Sequence, residues 1–146
     1  MSKTVIVDID GTVADLSHRL HLIRGKKDYD AFYNACAFDE PIEEMCRLVK
    51  TIWSAGADIV FITGRPHSVY DQTRTWVNKH IQLDDRFTLF MRQNADYRKD
   101  TIIKKELFYE YLTDKEIEFV LEDRTSVTEM WRGLGLRVLQ VASGDY

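Results

Sequence analysis

Five short apolar runs divide the chain into alternating extended and helical stretches. Thr4-Val5-Ile6-Val7 and Ile59-Val60-Phe61-Ile62 are continuous, the pattern of strands covered on both faces of a parallel sheet. Phe87 to Met91, Ile117 to Leu121 and Arg137 to Val141 are three further strands of this kind. Between them the period changes to that of a helix. Pro41 suits a first turn, and Ile42, Met45, Leu48, Val49 and Ile52 recur at helical spacing until Gly56. Pro66 opens a second helix with Val69, Thr73, Trp76, Val77 and Ile81 inward. From about Lys99 to Leu112, Ile103, Leu107 and Tyr111 share a stripe. Ser126-Val127-Thr128-Glu129 reads as a capping box for a last helix, which Gly133 and Gly135 end. Strands alternating with helices predict an α/β fold with a parallel five-stranded sheet.

Residues 15 to 38 break this rhythm. They hold Leu16, Leu20, Ile23, Tyr29, Phe32 and Tyr33, enough for one or two short helices but too few for a separate domain. The segment predicts a small helical minicap, or flap, within a single domain of residues 1–146.

Composition narrows the function classes. The 146 residues are 45% apolar, enough for one core, and carry 2 prolines and 7 glycines, which leaves no low-complexity segment. A formal net charge of −4 argues against coating long nucleic acid, which demands many neutralised phosphates, but not against binding one phosphorylated end. Local basic clusters stand at Arg24 to Lys27, Arg98-Lys99 and Lys104-Lys105. Cys36 and Cys46 form no C-x-x-C and predict reduced, partly buried thiols. No stretch reaches a membrane span, and the N-terminus enters a strand without a signal-peptide pattern. The expectation is a cytoplasmic protein without membrane contact.

The candidate chemistry lies at the carboxyl ends of the strands, where open α/β sheets bind ligands. The first strand ends in Asp8-Ile9-Asp10-Gly11-Thr12, the second in Thr63-Gly64-Arg65, and the fourth in Glu122-Asp123-Arg124. Lys104 falls in the helix after the third. Two carboxylates separated by a single residue can reach one ligand, one attacking phosphorus while the other manages protons. Gly11 permits a sharp turn whose amides can approach a phosphoryl group. The Thr63 hydroxyl can donate to a non-bridging oxygen, and Lys104 can neutralise the charge shared with Asp8. With Asp8, the carboxylates of Glu122 and Asp123 offer hard oxygen ligands that suit magnesium.

This order of motifs resembles the haloacid dehalogenase superfamily of phosphohydrolases: Val5 to Thr12 as the first motif, Phe61 to Arg65 as the second, Lys104 as the third and Leu121 to Arg124 as the fourth. The resemblance implies a three-layer, Rossmann-like sheet. Arg98 to Phe108 and Asp123 to Tyr146, with Glu129-Met130-Trp131-Arg132 and the ending Gln140 to Tyr146, are similar to the 3′-phosphatase domain of phage-type polynucleotide kinase–phosphatases. No G-x-x-x-x-G-K-[ST] of a kinase occurs. The similarity implies a phosphorylated nucleic-acid end or nucleotide as substrate, with a separate 5′-kinase or ligase as a partner. It implies Asp8 as nucleophile and Asp10 as general acid and then base. Thr63, Gly64 and Lys104 would hold the phosphoryl group, and Asp100 would orient Lys104. Magnesium would bind Asp8, Asp123 and the Asp10 carbonyl directly, and Glu122 through water. Arg65 and Arg19 fall where that phosphatase carries supporting arginines, with Arg24 the alternative to Arg19 because the insert here is longer. Glu122 stands where the phage enzymes carry Asp, a shift of one methylene.

On this scheme Asp10 starts protonated, its pKa raised by nearby negative charge. Two other functions stay open: a phosphatase of free nucleotides or small phosphoesters, and a receiver-like module that only holds phosphate on Asp8. The remaining suggestive residues have plainer readings. Asp15, His18 and His21 line a polar helix face, and His67 and His80 flank an ordinary helix. Trp53, Trp76 and Trp131 face the core, and Tyr29 and Phe32, in the flap beside Arg24, either pack it or stack on a nucleobase.

Overall fold

A computed structural model of the chain describes residues 2–144. Asp145 and Tyr146, which close the similar C-terminal run, lie outside the described residues. All five apolar runs form strands of one parallel sheet. In chain order these are β1 (Lys3–Val7), β4 (Asp58–Pro66), β5 (Thr88–Arg92), β6 (Glu116–Arg124) and β7 (Val138–Gly144), and a small pair, β2 (Ala14–Asp15) and β3 (Glu40–Pro41), lies apart from them. The spatial order is β5-β4-β1-β6-β7, and every pairing is parallel. β1 is therefore the middle strand. Its carboxyl end is flanked by the ends of β4 and β6, which places three of the four motifs side by side.

Helices α2 (Glu43–Ser54) and α3 (Tyr70–His80) cover one face; α4 (Asp100–Tyr111) and α5 (Thr125–Gly133) cover the other. The alternation of side chains along a strand supplies both cores. Val5, Val7, Ile59, Phe61 and Leu121 meet Val49, Trp76 and Val77 on the first face. Ile6, Val60, Ile62 and Val120 meet Val127 and Trp131 on the second. This is the three-layer α/β arrangement that the sequence predicts.

Helix boundaries depart from expectation in three places. Pro41 is extended rather than helical: it pairs with Ala14 in the antiparallel β2–β3 ribbon, and the next amide, Ile42, donates to the Val13 carbonyl at 2.8 Å. Proline tolerates such an edge because it has no amide to lose. Pro66 closes β4 instead of opening a helix, and a 3₁₀ turn, His67–Val69, precedes α3. Ser126 to Glu129 form no capping box. α5 starts at Thr125 straight from β6, with Arg124 extended at the cap and no side-chain cap bond. A different carboxylate serves that corner: Glu122 accepts from the amides of Asp123 and Arg124, each at 3.2 Å.

The flap consists of a 3₁₀ segment, Ser17–Ile23, the short helix α1 (Tyr29–Asn34) and a 3₁₀ turn, Ala35–Phe38, tied off at its base by β2–β3. Cys36 and Cys46 are free and fully buried, more so than expected, and burial pushes the Cys46 thiol up to about 11. No helix among the described residues is long and apolar enough to cross a membrane.

Close approach of β7 to the fourth motif depends on one glycine. Gly144 pairs with Arg124, and a Cβ there would lie 2.1 Å from the Asp123 carbonyl oxygen and 2.4 Å from the Arg124 Cα. Gly144→Ala should therefore destabilise the fold by ~1–3 kcal/mol, the usual cost of overpacking, seen as a lower thermal midpoint. Gly133→Ala, whose Cβ would meet nothing within 4 Å, serves as the neutral control. Equal midpoints for the two variants would refute the packing account.

Candidate active site

β1 delivers Asp8 to the centre of the sheet's carboxyl edge, 5% exposed. Its Oδ1 accepts from Lys104 Nζ at 2.7 Å, and its Oδ2 lies 3.1 Å from the Thr12 hydroxyl. Lys104 rises from α4 and also donates to Glu122 Oε2 at 3.0 Å. One carboxylate oxygen from each of Asp8, Glu122 and Asp123 lies within 4.8 Å of the others. Three carboxylates around one ammonium leave two formal negative charges in a buried space. The electrostatics follow from that count. Burial and the Glu122 charge, and more weakly Asp123, push the Asp8 carboxyl well above its ordinary range, against the pull of Lys104. Burial would lower the Lys104 pKa, but Asp8 and Glu122 drive it upward, so the amine stays charged. A hard, doubly charged cation fits this donor set, because it would cancel the excess charge with oxygen ligands.

Asp10 faces a different field. Its Oδ1 accepts from Arg19 Nη2 at 2.7 Å and from Arg65 Nη2 at 2.6 Å. Burial acts to raise its pKa, but Arg65 and Arg19 outweigh that and hold the carboxyl below the usual range. The expectation of a protonated Asp10 in the resting site is thus reversed; the charges around it are positive. Both arginines are fully buried and share a second carboxylate, Asp39, which accepts from Arg19 at 2.8 Å through each oxygen and from Arg65 at 3.0 Å. His18 reaches Asp39 Oδ1 at 2.7 Å. Of the polar trio Asp15, His18 and His21, this is the one that meets the site.

The second motif owes its shape to an irregularity in β4. The register against β5 shifts between Thr63 and Pro66, a bulge that re-aims Arg65 toward Asp10. Thr63 Oγ1 accepts from the Arg65 amide at 3.2 Å, which leaves its hydroxyl proton for a ligand. Gly64 lets Asp100 approach the backbone closely: a Cβ there would stand 2.5 Å from Asp100 Oδ1 and would push that carboxylate aside. Asp100 itself is engaged by Arg92 and by Arg124 Nη1 (2.9 Å), not by Lys104. Its hydrogen-bonded part in orienting the lysine is taken by Asp8 and Glu122.

Two other expected residues are placed differently. A cavity of about 940 Å³ opens outward from Asp8 and Asp10; Arg24, exposed at the end of the 3₁₀ segment, does not line it, so Arg19 alone of the two meets Asp10. Gly11 adopts φ +82°, as its turn requires. Its amide, however, donates to Ala14 O at 2.8 Å, while those of Thr12 and Val13 donate to Ile9 O. These amides stabilise the turn and are not directed at a phosphoryl group.

Sequence reasoning missed Asp39 and Arg92, and it gave Thr12, the end of the first motif, no contact with Asp8. Asp39 sits in an Asp-Glu pair at the end of the flap, 20 residues from Arg19, and no local pattern marks it. Arg92 ties Gly64 O (2.8 Å), Asp96 O (2.9 Å), Arg98 O and Asp100 together, and nothing in its neighbourhood marks it.

A buried carboxylate bonded to a buried lysine, with an acidic pair at the adjoining strand end, is the arrangement of a phosphatase of the haloacid dehalogenase type. Comparison with known proteins carries this further. Residues 2–146 match the family model described as the polynucleotide kinase PNKP phosphatase domain, and the chain belongs to that family. It is 33% identical over 146 residues to a protein of Autographa californica nuclear polyhedrosis virus described as a bifunctional polynucleotide kinase/RNA ligase, covering 99% of this chain and 20% of that protein. Among solved structures it resembles a chain of a Pnkp1/Rnl/Hen1 RNA repair complex, with a TM-score of 0.82 and 33% identity over 100% of this chain and 44% of that one. A class C acid phosphatase from Bacillus anthracis, 17% identical with a TM-score of 0.69 over 99% of this chain and 68% of that one, shares the fold. The chain thus spans less than half the length of the nucleic-acid-repair relatives it matches. An enzyme family excludes the purely phosphate-holding module.

Asp39 holds both arginines that hold Asp10. Asp39→Asn leaves those buried guanidiniums with one carboxylate fewer, and losing a partner from a buried ion pair costs ~3–5 kcal/mol. Urea denaturation should show a loss of that order. An unchanged midpoint would refute the clamp.

Proposed function

We propose that this chain is a magnesium-dependent phosphomonoester hydrolase that removes a 3′-phosphate from DNA or RNA ends through an aspartyl phosphate on Asp8. The observation that carries the chemistry is Lys104 bound between Asp8 and Glu122, with Asp123 completing the carboxylate group. The 3′-end assignment is supported by the resemblance to repair proteins and by an open cavity instead of a large closed cap.

An Asp8 oxygen attacks phosphorus while the bond from phosphorus to the 3′ oxygen breaks, and Lys104 neutralises charge on the equatorial oxygens. Thr63 donates its hydroxyl to one of them. Magnesium held by Asp8 and Asp123, with Glu122 behind, would offset the repulsion that raises Asp8 and supply Lewis-acid charge. Asp10 gives its proton to the departing sugar oxygen. It then takes a proton from the water whose oxygen displaces Asp8 from phosphorus, releasing inorganic phosphate. In the resting site Arg19 and Arg65 keep Asp10 ionised, and the approaching phosphoryl dianion favours its protonation. The arginines thus prepare Asp10 for its second role, as base.

A kinase or ligase, joined to this chain or separate, fits as a partner. A cytoplasmic setting fits the free thiols.

The decisive assay compares 3′-phosphoryl oligonucleotides, 5′-phosphoryl oligonucleotides, free nucleotides and acetyl phosphate, with and without magnesium, for wild type and Asp8→Asn. The expected result is magnesium-dependent release favouring the 3′-phosphoryl end, and none from Asp8→Asn. Equal rates on nucleotides and oligonucleotides would favour a small-phosphoester phosphatase, and turnover by Asp8→Asn would end the covalent scheme. A pH profile tests Asp10. Breakdown of the intermediate needs ionised Asp10, so its rate should fall as pH drops through the depressed pKa. Arg65→Met removes a cation, raises that pKa and should move the acid limb to higher pH. An unmoved limb would count against Asp10 as the base.

A further inference from the structure

Asp10 belongs to a closed ring of hydrogen bonds. Arg19 Nη2 donates to Asp10 Oδ1 at 2.7 Å and to Asp39 Oδ2 at 2.8 Å. Arg65 Nη2 donates to the same two oxygens, at 2.6 Å and 3.0 Å. Two guanidinium nitrogens and two carboxylate oxygens thus alternate around the ring, and the aim of Asp10 depends on where Asp39 Oδ2 stands.

The main chain of Asp39 is tied to α3, since its carbonyl accepts from Trp76 Nε1 at 2.9 Å. That bond leaves the turn of the carboxylate open, because the terminal torsion of aspartate is broad and roughly two-fold. The other oxygen settles it. Asp39 Oδ1 accepts from Arg19 Nε at 2.8 Å and from His18 Nε2 at 2.7 Å. A carboxylate offers about four lone-pair sites, and His18 fills the one that the arginines leave. Guanidinium donors occupy the rest, so His18 Nε2 carries the proton and donates. Turning the carboxylate away from His18 would swing Oδ2 out of the ring, and its longest link, from Arg65, would open first.

His18 itself stands apart from the chemistry. Its side chain is 40% exposed, whereas those of Asp39, Arg19 and Arg65 are wholly buried, and it does not line the cavity beside Asp8 and Asp10. Any effect it has on the reaction therefore passes through Asp39. Nor does the flap hang on this bond. Arg19, the next residue, already ties the same 3₁₀ segment to Asp39 through both carboxylate oxygens. What His18 adds is direction.

We propose that His18 is a positioning residue for Asp10: its Nε2–H fixes the turn of the Asp39 carboxylate, which holds Arg19 and Arg65 where they aim Asp10 at the departing oxygen. The inference rests on the reading of Asp10 as the acid for that oxygen and names a residue that sets its aim. The step concerned is transfer of the Asp10 proton to the sugar oxygen as its bond to phosphorus breaks. Attack by Asp8 and neutralisation by Lys104 lie outside the ring. A substrate whose leaving group departs as a stable carboxylate, such as acetyl phosphate, needs no proton from Asp10 and is indifferent to its aim.

The test is kcat/KM for a 3′-phosphoryl oligonucleotide and for acetyl phosphate, measured with magnesium at one pH. His18→Ala should lower the first by about 10- to 100-fold, the order that a slightly misplaced catalytic group costs, and the second far less. His18→Leu, which keeps bulk without a donor, should give the same split and guards against a packing defect peculiar to alanine. His18→Gln, whose side-chain amide can donate to Asp39 Oδ1, should recover most of the loss. Asp10→Asn should show the split in its strongest form. Equal losses on both substrates in His18→Ala and His18→Leu, no loss on either, or a split that His18→Gln does not relieve, overturns the inference alone. Asp10→Asn that slows both substrates equally overturns Asp10 as the acid, and this inference with it.

Discussion

The ammonium of Lys104 is 2% exposed and remains charged there because Asp8 and Glu122 both accept from it. A buried amine without partners would lose its proton, and buried carboxylates without a cation would gain theirs. Each group is thus the condition for the others' charge. The sheet order follows the same requirement. Only a middle β1, with β6 beside it and α4 packed across, brings a residue near the N-terminus within 2.7 Å of one from position 104 and within reach of the acidic pair at 122 and 123.

The same strand end carries a second and opposite electrostatic field. Asp8 and Asp10 are two residues apart, yet burial and neighbouring carboxylates raise the first while two arginines depress the second. Neighbouring carboxylates with divergent pKa values are how a site assigns distinct roles to chemically identical groups. The partition is physical. Lys104 comes from the helix side of the sheet, whereas Arg19 comes from the flap and Arg65 from the β4 bulge, with Asp39 joining the latter two. Glu122 adds a detail: its extra methylene lets one oxygen meet Lys104 while the other turns back onto the amides of Asp123 and Arg124. A longer acid fits because it also caps the corner between β6 and α5.

Most of the architecture was legible because strands buried on both faces leave uninterrupted apolar runs, and all five runs became strands. Helix starts were less legible. Pro41, Pro66 and the Ser126 to Glu129 pattern carry local signals that tertiary pairing overrides, since the β2–β3 ribbon, the extension of β4 and the direct β6–α5 corner satisfy the backbone differently. In the site, the residues named from strand ends converge, because strand ends of a parallel sheet have no other place to go. What sequence could not give was the partnering of charges. Asp39 lies 20 and 26 residues from the two arginines it binds, Arg92 reaches back 28 residues to Gly64, and Asp10's field depends on arginines whose direction no spacing reveals.

Arg19 and Arg92 point to how the reacting groups and the cavity walls are linked in this fold. Each has one end in the chemistry and the other in a wall of the cavity. Arg19 bonds Asp10 and lies over Phe32 of the flap. Arg92 bonds the Gly64 carbonyl in the second motif and the carbonyls of Asp96 and Arg98 in the loop that joins β5 to α4. The sheet end at β7 tolerates little displacement, since a Cβ at Gly144 would run into the backbone of Asp123 and Arg124. Apart from the β2–β3 ribbon at the flap's base, side chains and not the main sheet hold the flap and the loop against the carboxylates.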